Sequence, residues 1–109
     1  MPWFITIGYG DAADYERTDP ALRDAAHEHD ARLREAGVVM GVAGPPVLVR
    51  NPDSSGTATE DGPFMRADLP VAGFAVIEAA DIEEATRLVA PTPCAVAHGV
   101  VEVWPLQTP

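Results

Sequence analysis

Several short stretches of this chain are apolar on both of the faces a strand presents, and this property constrains the fold more than any other. Phe4 stands beside Ile5, Val38 beside Val39, and Val76 beside Ile77. Successive side chains of a strand point to opposite sides of its sheet. An antiparallel sheet with one face in water shows alternating polar residues instead. Here both faces need cover. A chain of 109 residues has room for one domain and one core, and its helices can shelter only one side. A second copy of the chain would shelter the other, so the expectation is a homodimer.

The elements follow from periodicity and breakers. Residues 3–9 read as a strand, with Trp3, Ile5, Ile7 and Tyr9 on one side and Phe4, Thr6 and Gly8 on the other. Asp19 and Pro20 suit the start of a helix, and Gly37 its end. Between them Leu22, Ala26, His29, Leu33 and Ala36 form one stripe. Val38–Val42 is a second strand. Val47–Arg50 and Thr57–Glu60 flank the turn cluster 51–56 as a short hairpin. Asp61-Gly62-Pro63-Phe64 opens a loop reaching Pro70, and Gly73–Glu78 is another strand. A helix spans Asp81–Ala90, with Asp81 and Glu84 at the capping-box interval and Pro91 and Pro93 stopping it. Gly99–Trp104 is the last strand, ended by Pro105. The sum is an α+β chain in the ferredoxin-like order β-α-β-β-α-β with an extra hairpin, one domain over residues 1–109.

Charge narrows the function classes. Seventeen acidic residues face seven basic ones, every one of them Arg, for a formal charge of -10. Binding to nucleic acid or to anionic membrane needs clustered cations, so neither partner is expected. No apolar run approaches the roughly 20 residues of a membrane helix. Met1-Pro2-Trp3-Phe4 lacks the basic region of a signal peptide. With Cys94 the sole cysteine, a reducing, cytoplasmic setting is the simplest expectation.

Asp61-Gly62-Pro63-Phe64 resembles the DGPF loop of the YCII-related superfamily. The resemblance extends to Gly73-Phe74, Asp81-Ile82-Glu83-Glu84-Ala85, Pro93-Cys94 and the ending Gly99–Pro105. It implies a dimeric α+β barrel, two sheets facing each other around an enclosed interior. Most members of that superfamily lack an assigned reaction. Related barrels include lactone isomerases, dehydrohalogenating enzymes and cofactor-free monooxygenases, and some members look like cofactor-free lyases with a His-Asp pair. The helix histidine of the family falls near Ala26 counted back from Gly37, and on His27 counted back from Gly44-Pro45.

Four residues are candidates for chemistry. His29, on the apolar stripe, is either a buried, hydrogen-bonded histidine or a general base. His27, two residues earlier, points away from that stripe toward solvent. Asp61 is either a turn-capping carboxylate or an acid aimed inward by Gly62 and Pro63, under an apolar Phe64 lid. Glu102 sits among valines of the last strand, where an unpaired carboxylate is costly to bury. Tyr9, Trp3, Trp104 and Phe64 are core residues or the apolar walls of a substrate pocket. His98 reads as structural and Cys94 as inert. No metal-ligand spacing occurs, and no cofactor is expected. Two functions follow: a cofactor-independent lyase or isomerase acting on a small cyclic metabolite, or a non-catalytic dimeric module that binds a ligand or a protein.

Overall fold

A computed structural model describes all of residues 1–109. The chain runs β1 (Trp3–Tyr9), α1 (Ala12–Glu16), α2 (Pro20–Glu35), β2 (Val39–Val42), β3 (Val47–Arg50), β4 (Ala58–Asp61), β5 (Val71–Glu78), α3 (Ile82–Val89), α4 (Pro93–Val96) and β6 (Val100–Leu106). It is a mixed α+β chain with antiparallel sheets. Four strands lie in the order β2-β5-β1-β6, while β3 and β4 form a separate two-stranded sheet. Within one chain the larger sheet stays open, with β2 and β6 as its edges.

The caps explain where the long helix begins and ends. Asp19 accepts a hydrogen bond from the Ala21 N–H at 2.9 Å, with Pro20 at the first helical position, where it gives up no bond. At the other end Gly37 takes a φ of +99°. The Gly37 N–H reaches the Arg34 carbonyl and the Val38 N–H reaches that of Leu33, the paired bonds of a Schellman motif. Asp81 caps α3 by accepting from the Glu84 N–H at 2.8 Å. The Glu84 carboxylate answers one residue earlier than in a standard capping box, accepting from the Ala80 N–H at 3.1 Å.

One face of the sheet carries the core. Phe4 pairs with Ile77 across β1 and β5, and both pack with Ala79, Ala85 and Val89. Val38, Ala75, Leu88, Val101 and Val103 close around them. Burying a side chain the size of Ile77 stabilises by about 1.5–3 kcal/mol. The other face has no cover within the chain: Trp3 is 45%, Val39 70%, Phe74 47% and Trp104 56% exposed.

Local expectations fail in five places, each for a physical reason. None of the expected elements covered residues 12–16, where Asp11 caps the short α1 by accepting from the Asp14 N–H. Pro93 opens α4 at its first position rather than merely stopping α3. Pro105 lies inside β6, an edge strand that can spare its N–H. Leu22, placed on the buried stripe of α2, is 56% exposed because only the later turns of the helix, from Ala26, meet the body of the protein. Asp61 ends β4, opposite Val47, rather than starting the loop. No helix is long and apolar enough to cross a membrane.

Candidate active site

A cavity of about 410 Å³ lies on the helix-covered side of the sheet, bounded by α2, α1, α4 and the β2–β5–β1 region. Its floor exists because side chains are missing there. Gly8 and Gly73 are register partners in β1 and β5, and both line the cavity beside Thr6 and Ala75. The Cys94 sulfur sits where a side chain on Gly8 would go, 2.8 Å from the Cβ that position would carry. Leu33, Met40, Ile77 and Val89 make apolar walls. Its volume falls within the range of about 300–1,000 Å³ common for small-molecule pockets.

Polar groups enter mainly from α2 and α1. His27, Asp30 and Arg34 follow one another at spacings of three and four, which places them on one helical face, and all three line the cavity. Tyr15 of α1 lines it too, and its hydroxyl oxygen lies 2.8 Å from His27 Nε2. The two rings meet edge to face, 5.9 Å between centroids at 63°. Burial pushes the Asp30 carboxyl above its usual range, against the opposing pull of Arg34, His27 and His29. Burial likewise raises the Cys94 thiol, and the charge of Asp30 adds to the effect. A thiol shifted in that direction is a weaker nucleophile than an exposed one.

The expected site residues do not gather in one place. His29 Nε2 donates to the Leu88 carbonyl at 2.7 Å and ties α2 to α3. His27 is exposed, as its position away from the apolar stripe implies, and it also stands on the cavity rim, where the short α1 folds back beside it. Asp61 is exposed at the end of the hairpin and borders neither this cavity nor the next, so the structure does not join it to His29. A second cavity, of about 500 Å³, lies between the 63–71 segment and the β2–β3 connection. Tyr9 and Phe64 line it, although Phe64 is 75% exposed and covers little. Beside that cavity the Tyr9 hydroxyl donates to Glu102 at 2.5 Å, which raises the phenol above its ordinary range. A further contact joins the same hydroxyl to Met65 Sδ at 3.3 Å. Trp3 and Trp104 stand on the open sheet face, away from both cavities. Tyr15, Asp30 and Arg34 were not singled out from sequence. The 23–27–30–34 spacing on α2 was the available signal, together with glycines inside strands, which mark close approach of other atoms.

Fold and cavity together define a small α+β domain with an imidazole, a phenol and a carboxyl facing one largely apolar chamber. Residues 1–107 match the family model of the YCII-related domain. The chain belongs to the YCII-related family. No curated protein matches it.

Proposed function

We propose that this protein is a cofactor-independent lyase or isomerase that moves a proton on a small, partly apolar, cyclic metabolite. The observation that carries the reading is the convergence of His27, Tyr15 and Asp30 on the 410 Å³ cavity. The imidazole–phenol couple takes a proton from a carbon beside a carbonyl. Asp30, whose raised carboxyl holds its proton more readily than an exposed one, returns it. Apolar walls hold the ring of the substrate, which supplies positioning without a cofactor. The strand order β2-β5-β1-β6 supports a ferredoxin-like reading of the sheet. Its bare apolar face supports pairing of two such sheets into a dimeric barrel.

The test is hydrogen–deuterium exchange at carbon, followed by NMR in D₂O with a set of small lactones and cyclic ketones. The wild-type protein should accelerate exchange on at least one of them. His27→Gln should lower that rate by about 10²–10⁴-fold, the usual contribution of a positioned acid–base group, with the melting temperature nearly unchanged. His29→Asn should behave the opposite way, costing about 1–3 kcal/mol of stability as the Leu88 carbonyl loses its donor, while exchange continues. Binding of a compound with no exchange in any variant would favour the non-catalytic module instead.

A further inference from the structure

Tyr15 is held from two sides. The Arg23 guanidinium carbon lies 4.9 Å from the centroid of its ring. The His27 ring meets it edge on, and the phenol oxygen is at hydrogen-bond distance from Nε2. Two proton arrangements suit this pair: either the phenol donates to Nε2, or an Nε2–H donates to the phenol oxygen. The cation over the ring decides between them. Positive charge against the π-face favours electron density gathering on the phenol oxygen as it gives up its hydrogen to Nε2. The phenol therefore donates. A neutral imidazole carries one N–H, so that hydrogen sits on Nδ1 of His27.

With Nε2 occupied and Nδ1 protonated, neutral His27 has no free lone pair to offer a substrate. We infer that the Tyr15 oxygen is the atom that meets the substrate's proton in this cavity, with His27 as the base behind it. This rests on the acid–base reading above. When the substrate C–H bond breaks, its proton goes to the Tyr15 oxygen and its electron pair remains on the substrate as an enolate. In the same movement the phenol's own hydrogen passes to Nε2. Tyr15 ends neutral and His27 ends as an imidazolium, so charge and atoms balance. Reprotonation of the enolate at another carbon gives an isomer, and expulsion of a leaving group gives an elimination.

The free protein tests the first half, without any substrate. Long-range ¹H–¹⁵N spectra, taken at a pH where the imidazole is neutral, should show His27 protonated on Nδ1 with a bare Nε2. Tyr15→Phe should move the hydrogen to Nε2 or leave a mixture. Arg23→Met, which keeps the phenol but removes the cation, should move it part of the way. An Nε2–H tautomer in the wild type, or a Tyr15→Phe spectrum identical to it, overturns the inference. The carbon exchange assay tests the second half. Tyr15→Phe should lose at least tenfold in rate with its fold intact by melting temperature. Exchange lost in His27→Gln but kept in Tyr15→Phe overturns this inference alone. Equal exchange in wild type, His27→Gln and Tyr15→Phe overturns it together with the reading beneath it.

Discussion

At the scale of single residues, the cavity depends on what Gly8 lacks. A methyl added there would stand 2.8 Å from the Cys94 sulfur and 3.3 Å from its Cβ. Such overpacking costs about 1–3 kcal/mol, so Gly8→Ala should lower the midpoint of urea unfolding accordingly. Cys94→Ala in the same chain should recover most of the loss, because the clash is with a side chain. Simple additivity in that double-mutant cycle would show that the two positions do not touch. Gly99 differs in kind: its added Cβ would meet the Tyr9 and Cys94 carbonyl oxygens, and no side-chain change relieves a backbone collision. Little of this was readable beforehand. A glycine in a strand announces that something approaches closely, but which group does so is settled by the fold. His29 was legible as a histidine with two possible roles, and only the fold shows that its Nε2–H goes to the Leu88 carbonyl.

At the scale of elements, α2 is the informative one. Its caps and its end could be read from Asp19, Pro20 and Gly37, since those residues act within a few positions of themselves. Its cavity-lining face could not, because the partner that marks it, Tyr15, comes from α1, a five-residue helix too short to leave a periodic signature. That face also carries a pH dependence. The Asp30 carboxyl is raised in the folded state, so between its unfolded and folded values the native chain binds more protons than the unfolded one. Stability contributed at this site accordingly falls as pH rises through that window, and the ionised form is penalised above it. Asp30→Asn should remove that slope. Melting curves from acid to neutral pH should show the variant gaining on the wild type as pH rises, and parallel curves would refute the assignment. The β3–β4 hairpin, by contrast, was read to within one residue at its second strand. Its Arg50–Glu60 pair is exposed and adds little.

At the scale of the molecule, the decisive feature is a sheet covered on one face only. Trp3, Phe74, Val39 and Trp104 leave a broad apolar surface in contact with water, and patches of that kind mark places where proteins associate. Light scattering at micromolar concentration should give twice the mass of one chain. Trp104→Glu, which sets a charge among apolar neighbours without touching the helix-side core, should give the single-chain mass with the same secondary structure. A wild-type protein that stays single under those conditions would defeat the dimer. Double-faced strands made this expectation available from the sequence alone. The helix-side cavity was not legible in advance, since attention fell on a shared barrel interior and the cluster of His27, Asp30 and Arg34 lies beneath α2.

The glycine-floored cavity and the bare surface thus lie on opposite sides of one sheet only a strand thick. If two copies pair through that surface and a reaction runs in the cavity, each subunit keeps its own chamber, and a mixed pair of one disabled and one intact chain should work at half speed instead of failing outright. The partner-facing wall and the chamber can then change separately, with the sheet as the wall they share.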